Sequence, residues 1–490
     1  MDARTAARAD ADVIVVGAGP TGLLLAGDLA TAGVRVTVLD KRPPGLSNLT
    51  RAFAVHARSL EALDARGLAD ELVATGRQVT EVRLFDRLSV RLDGLASRFP
   101  YVLSTPQYEV ERLLLRRAGS AGVTFRHDAL VTGLTQDAAG VTVAVAEGSA
   151  PGGRGTLRAS WVVGADGVRS TVRDAVGIPF PGETVIRAMI LADVRLTTPP
   201  PDVLTVASRD GALGFLVPFG DGWYRFIGWD GDRDVDAPVT LPEVRAVARA
   251  TLGDDLGMHD LRYADRFAAD ERQAPRYRSG RVLLAGDAAH AHSPAGGLGM
   301  NTGMQDAAGL SWRLTAAVRG AAPDVLDGYE AERHPVGALV LRASGTILRL
   351  ATRPGPVAAV GRSLLTEALS HLPPARRRAA ATISALGVRY PAPRGAHPWA
   401  GTRVPDLPLV PGAEPGAAGG RLAEALRGGR FVLVGPAAGP PADLPATPGE
   451  IDPGERVVVR RGDGRASTLL VRPDGYLADA RSPGAPSSGP

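Results

Sequence analysis

The first hydrophobic block of the chain is short and ends abruptly: DVIVVGAGP, residues 12–20, runs from apolar residues straight into glycine. TGLLLAGDLATAG then repeats its apolar residues at a helical period and stops at Gly33, and VRVTVLD is a second apolar run ending in an acid. Strand, glycine turn, helix and strand in this order predict a compact βαβ unit. RSLEALDARGLADEL reads as helix, and so does STPQYEVERLLLRRAGSAG, whose proline falls near its start, where the missing N–H is tolerated. VTFRHDALVTGLTQDAAGVTVAVAEG alternates as strands do, and WVVGADGVRSTVR carries another strand into a second glycine turn.

The pattern changes after residue 179. MILADVRL, GFLVPFGDG and WYRFIGWDG predict an antiparallel sheet with Gly and Asp at its loop tips. The strand–loop–helix style returns near 281, so the first domain is read as discontinuous. Residues 1–179 and 265–345 form an α/β domain of Rossmann type, 180–264 an inserted antiparallel sheet, and 346–395 a helical connection. Residues 396–490 form a small terminal unit, with strands in FVLVG, ERVVVRRG and STLLVRPDGYLA. The fold class is α/β with added α+β domains.

Composition removes several alternatives. At 490 residues and 44% hydrophobic the chain can bury the cores of two or three domains. The net charge is only +4, with Lys41 as the single lysine. The arginines are scattered except for Arg376–Arg378 and no aromatics interleave with them, so no nucleic-acid partner is expected. No cysteine is present, which excludes disulfides, thiolate metal sites and cysteine nucleophiles. No apolar run reaches membrane-spanning length and the opening segment is no signal peptide, so a cytoplasmic, membrane-free protein is expected.

Three motifs carry the chemistry. Gly17-Ala18-Gly19-Pro20-Thr21-Gly22 lies between strand and helix: its glycines allow a tight turn, close backbone approach to a pyrophosphate, and helix–strand packing. The helix start supplies free N–H groups and partial positive charge. Asp40, next to Lys41, ends the second strand where an acid can accept hydrogen bonds from a ribose. The second motif is Gly164-Ala165-Asp166-Gly167-Val168-Arg169-Ser170, which alone could be an ordinary Asp-Gly turn. The third, LLAGDAAHAHSPAGGLGMNTGMQDAA at 283–308, sets an aspartate, two histidines and five glycines before a helix. His290-Ala291-His292 lacks a third ligand nearby, so no metal is expected. His56 and His127 are read as fold or surface residues.

Taken in order, these motifs resemble the group A flavin-dependent aromatic hydroxylases, and the likeness runs over residues 12–395. Arg51-Ala52, Arg58-Ser59-Leu60-Glu61, Gln107 with Glu111, and Pro218 agree with it. GTRVPD (401–406) and VRPDGY (471–476) resemble the thioredoxin-like C-terminal domain of the longer members, which act on polycyclic phenols, angucyclines, anthracyclines and rifamycin-type compounds. Lacking cysteine, that unit is expected to be structural or oligomerising, in a monomer or homodimer.

The resemblance implies FAD, with NADPH or NADH as reductant. Asp287 would bond the ribityl chain, and the loop of Pro294, Gly297, Leu298, Gly299, Met300 and Asn301 would run beside the isoalloxazine, its helix N-terminus at the pyrimidine edge. Arg51 and Gln107 would contact the phosphates or ribityl chain, and Asp166, Gly167 and Arg169 would support the pyrophosphate and the nicotinamide cofactor. Phe215, Val217, Phe219, Trp223 and Phe226, with Pro294, Ala295 and Gly296, are candidates for a substrate pocket. The aromatic ones can equally be core residues. The implied reaction reduces FAD with NAD(P)H, adds O2 at flavin C4a, and passes one oxygen to an electron-rich aromatic carbon. No catalytic base is identified. A flavin-dependent halogenase would need a catalytic lysine and a WxWxIP motif; Lys41 follows Asp40, and the motif is missing. A flavin protein that only sequesters a hydrophobic ligand, and an antibiotic-inactivating monooxygenase of the rifampicin type, remain alternatives.

Overall fold

Two eight-stranded sheets meet at one loop, and the cleft of interest lies at that junction. The computed structural model describes residues 9–46, 52–84, 88–147, 154–201, 203–231, 233–353, 360–361, 363–364, 367–368, 371–392, 395–411, 420–445 and 455–482.

The first sheet has a parallel centre. Its order is Arg278–Ser279, Val282–Leu284, Arg154–Gly164, Ala11–Val16, Val36–Leu39, Thr124–Arg126, with Val141–Glu147 and Ala129–Gln136 extending the long strand Arg154–Gly164. Val13, Ile14, Val15, Val162, Val163, Leu283 and Leu284 are wholly buried. That explains why these strands read as continuous apolar runs, because a parallel sheet is covered on both faces. Helix Pro20–Thr31 packs on helices Gln107–Ser120 and Gly299–Val318.

The second sheet is mostly antiparallel, in the order His290–Ala291, His259–Gln273, Gly182–Arg195, Tyr224–Trp229, Ala212–Pro218, Leu204–Arg209, Glu81–Leu84, Leu88–Arg91. It therefore draws strands from both sides of the 180–264 segment. The strand His259–Gln273 runs nine residues past 264, and the pair Glu81–Leu84 and Leu88–Arg91 comes from far upstream. Pairing across a sheet is blind to sequence distance, so composition alone did not reveal them.

The third glycine loop joins the sheets. It leaves the parallel strand Val282–Leu284, makes a short 3₁₀ turn at Gly286–Ala288, and pairs His290–Ala291 with Gln273 and Arg272 of the second sheet. From there it enters helix Gly299–Val318. The terminal unit is a four-stranded sheet in the order Val457–Arg460, Val432–Gly435, Thr468–Val471, Leu477–Arg481, with one parallel and two antiparallel pairings. It is locked to the rest by ion pairs: the largely buried Arg472 with Glu332 at 2.7 Å and Arg403 with Glu61 at 2.7 Å, and the partly exposed Arg421 with Asp64 at 2.9 Å. Among the described residues no helix is long and apolar enough to cross a membrane.

Candidate active site

Each fingerprint glycine has its own reason. Gly17 takes φ +104°, and a Cβ there would stand 2.3 Å from the carbonyl oxygen of Ala165, so the first and second glycine turns touch. At Gly22 a Cβ would lie 2.0 Å from the Gly17 carbonyl, which is the close helix–strand approach. Gly19 differs: its φ of −80° suits any residue, and no atom of the described residues would lie within 4 Å of a Cβ there. Its small size matters only to something outside the protein. The next residues, Pro20 and Thr21, begin a helix that has no side-chain cap among the described residues. Thr21 is wedged between Gly286 and Gly303, where Cβ atoms would meet its hydroxyl at 2.7 and 2.3 Å.

A cleft of about 310 Å³, open to solvent, runs from this helix end to the third loop. Gly19, Pro20, Thr21, Gln107, Asp287, Pro294, Gly297, Leu298, Gly299 and Met300 line it, so ten of the residues singled out from sequence converge there. Two helices present uncapped N-termini to it, Pro20–Thr31 and Gly299–Val318. Free N–H groups and the positive ends of both dipoles therefore face one space. Asp287 is exposed on the cleft floor, its Oδ1 4.0 Å from where a Cβ of Gly299 would be. Gln107 accepts from the Ala52 N–H (3.2 Å) and donates to Glu111 (2.8 Å), whose carboxyl burial pushes up in pKa.

Other expected residues act from behind the wall. Asp40 accepts from the Ala18 N–H at 2.6 Å and from Arg42 at 2.8 and 3.0 Å. Burial opposes its charge, but Arg42 and the N–H groups hold its pKa below the usual value. Lys41 is exposed and not part of the cleft lining. Asp166 turns inward, accepting from the Ser170 hydroxyl (2.5 Å) and the Val172 N–H (3.1 Å), while its neighbours Ala165, Gly167 and Val168 supply the cleft surface. Asn301 is buried: it accepts from the His56 N–H and donates to the carbonyls of Ala54 and Gly297, so it pins the helix start rather than lining the cleft. Arg51 lies outside the described residues.

The substrate candidates lie mostly outside the cleft lining. Phe215, Val217 and Phe219 are buried core residues in the same cluster as Phe53 and Ala295. Phe226 faces the opposite side of the sheet: it pairs with Leu216 while Phe215 pairs with Ile227, and it packs under helix Leu241–Leu252. Strand alternation separates them. Trp223 lies at a turn with the guanidinium groups of Arg195 and Arg262 against its ring. Gly296 takes φ +92° in the turn before Gly297 and is not among the lining residues; of this set Pro294 alone is.

The apolar wall is instead Phe53, Phe267 and Pro294, with Asp270, His292 and Ser293 as its polar members. Phe267 and Asp270 were missed because they lie on the strand that continues past 264. Arg173, also missed, joins the second glycine turn to the third loop by donating to the carbonyls of Val168 (3.1 Å) and Ala288 (3.2 Å). Among the described residues no group of three or more metal-ligating side chains occurs.

Known proteins share this fold. Residues 10–344 match the family described as FAD binding domain, and residues 397–489 match the aromatic-ring hydroxylase C-terminal family. The chain is 40% identical to a 12-dehydrotetracycline 5-monooxygenase/anhydrotetracycline 6-monooxygenase of Streptomyces rimosus, over 96% of this chain and 95% of that protein. It is 39% identical to a rifampicin monooxygenase of Streptomyces venezuelae, over 95% and 94%. A solved anhydrotetracycline hydroxylase from Streptomyces rimosus matches with a TM-score of 0.81 at 40% identity, covering 98% of this chain and 97% of that one. From the glycine cradle to the terminal sheet, the chain belongs to the FAD-dependent aromatic-ring hydroxylases.

Proposed function

We propose that the protein is a monooxygenase that hydroxylates a polycyclic aromatic compound, of polyketide or antibiotic type, with NAD(P)H and O2. The observation that carries this reading is the convergence of two uncapped helix N-termini on one cleft whose far wall is Phe53, Phe267 and Pro294. A dinucleotide fits the first half: Gly19 leaves open space for a pyrophosphate, and the Pro20–Thr31 helix end offers N–H groups to it. A flat ring fits the second, where the loop Gly297, Leu298, Gly299 and Met300 lines the cleft and two of the four residues have no side chain.

In this reading Gly19, Pro20 and Thr21 hold the phosphates, Asp287 and Gln107 the ribityl chain, and the start of helix Gly299–Val318 the pyrimidine edge. Asp40 and Asp166 shape the turns that hold Ala18 and Ala165 in place. When bound, FAD supplies hydride acceptance and oxygen activation, which no side chain here can provide. The protein orients the ring, keeps water from it and presents the aromatic ligand. The relatives named for tetracycline and rifampicin chemistry support a polycyclic ligand and bear equally on a biosynthetic and an antibiotic-inactivating role.

The test is turnover of FAD-loaded protein with NADPH, and separately NADH, under ¹⁸O2 against a panel of polycyclic phenols including anhydrotetracycline and rifampicin. The expected result is a product carrying one labelled oxygen atom. NAD(P)H consumption that yields only hydrogen peroxide with every compound, or none at all, would favour a ligand-sequestering role.

A further inference from the structure

Behind the cleft wall runs a line of buried polar groups that cofactor binding does not use. His292 Nε2 lies 2.8 Å from His290 Nδ1, and His290 Nε2 lies 2.6 Å from Asp306 Oδ2. Asp306 also accepts from the Gly286 N–H at 3.0 Å and from Arg333 Nε at 2.6 Å, and Arg333 donates to the Tyr390 hydroxyl at 3.1 Å. Asp306, His290 and Arg333 are completely buried, whereas His292 is partly buried and lines the cleft.

The chain of bonds sets every proton. Burial opposes charge on Asp306, but His290 and Arg333 outweigh it and hold its pKa at about 2, so it is a carboxylate that only accepts. With a neutral imidazole at His290, the proton then sits on Nε2 and Nδ1 accepts. His292 must donate from Nε2, which leaves the lone pair on its Nδ1. That nitrogen has no hydrogen-bond partner among the described residues and is sealed from solvent, and the adjoining Ser293 hydroxyl is in the same condition. Two orphaned polar atoms on consecutive residues of the cleft lining carry a desolvation penalty unless a ligand seated there relieves it.

We propose that His292 Nδ1 is the acceptor for a hydroxyl group of the aromatic ligand, with His290 and Asp306 as positioning residues that fix its tautomer. The proposal rests on the aromatic-ligand reading of the cleft. The ligand O–H points its hydrogen at the Nδ1 lone pair. As the hydroxyl ionises, the O–H bond breaks, its electron pair stays on oxygen, and the proton forms the new Nδ1–H bond. The imidazolium is then stabilised through His290 by the Asp306 carboxylate, an arrangement that raises the electron density of the ring to be oxidised. Burial keeps His292 unprotonated before the ligand arrives. The charged and titratable groups around it are His290 on its own strand, Asp306 on helix Gly299–Val318, Arg333 on helix Asp327–Thr352, Tyr277 against the His290 ring, and Asp270 and Asp287 on the cleft surface.

The experiment uses the oxidised, FAD-loaded protein without NAD(P)H. The probes are 2-hydroxyanthraquinone, whose colour reports ionisation, and its ether 2-methoxyanthraquinone. Wild type should bind the hydroxyl compound about tenfold more tightly than the ether, the worth of one hydrogen bond to an otherwise unsatisfied buried group. The bound hydroxyl should ionise about one pH unit lower than in water, because its proton gains an acceptor. His292→Phe should abolish both effects. His290→Gln, which frees the tautomer, should reduce the ionisation shift, and FAD content in both variants reports an intact cleft. Discrimination and ionisation that persist unchanged in both FAD-loaded variants overturn the proposal. Wild type that binds both compounds equally overturns it while leaving the hydroxylase reading in place. Wild type that binds neither counts against both.

Discussion

The two ends of helix Gly299–Val318 are built by opposite rules. At its start no side chain of the described residues caps the helix, glycine and methionine line an open cleft, and the preceding loop leaves His292 Nδ1 and Ser293 Oγ without partners. Toward its other end, the polar groups at Trp312 and Arg313 are paired: Arg313 with Glu332 at 2.8 Å, and Trp312 Nε1 with Asp474 at 3.3 Å. Arg472 closes that cluster by bonding both Glu332 and Asp474. One end leaves hydrogen-bonding capacity unmet among the described residues; the other uses it to fasten the terminal unit. Buried charge at the seam is a matter of stability, and unmet polarity at the cleft a matter of binding.

Asp306 sits between the two ends and should give the largest effect. Asp306→Asn leaves Arg333 buried without its counter-charge and should lower unfolding stability by about 3–5 kcal/mol, with loss of FAD, as read by chemical denaturation and flavin content. Acid should act in the same direction. The folded pKa of about 2 lies below the ordinary 3.8, so this group's contribution is present above pH 3.8 and disappears as pH falls through about 2. By linkage that contribution is about 2 kcal/mol, and it should be missing from the acid-denaturation profile of the variant.

A smaller effect is expected at the seam. There, Asp474→Asn should cost about 1.5–3 kcal/mol, the range for hydrogen bonds to a charged group, while FAD affinity stays unchanged. If FAD binding fell in proportion to stability, the division between the two ends would not hold.

The legible and illegible parts of this molecule differ in the range of the interactions that define them. The glycine fingerprint, the Asp287 turn and the loop from Pro294 to Met300 are local devices, each set by residues a few positions apart, and they converge on the cleft. Phe226 could not be assigned a face without knowing that it pairs with Leu216. Phe267 and Asp270 depend on a strand whose partners come from both sides of the insertion. The His292–His290–Asp306–Arg333 line brings together side chains from two helices and an extended loop, up to 27 residues apart between Asp306 and Arg333. Nothing in local spacing marks it; in sequence the two histidines raised the question of a metal, and His290 was read as packing or bonding within its own loop.

The most direct measurement titrates FAD into cofactor-free wild type and Gly19→Ala, with thermal unfolding of both cofactor-free proteins as the control. At φ −80°, with no atom of the described residues within 4 Å of the new methyl group, the substitution should leave stability unchanged. It should nevertheless weaken FAD binding about tenfold or more, because the methyl occupies the space a pyrophosphate needs. Equal FAD affinity in the two proteins would contradict the account that this helix end holds the cofactor.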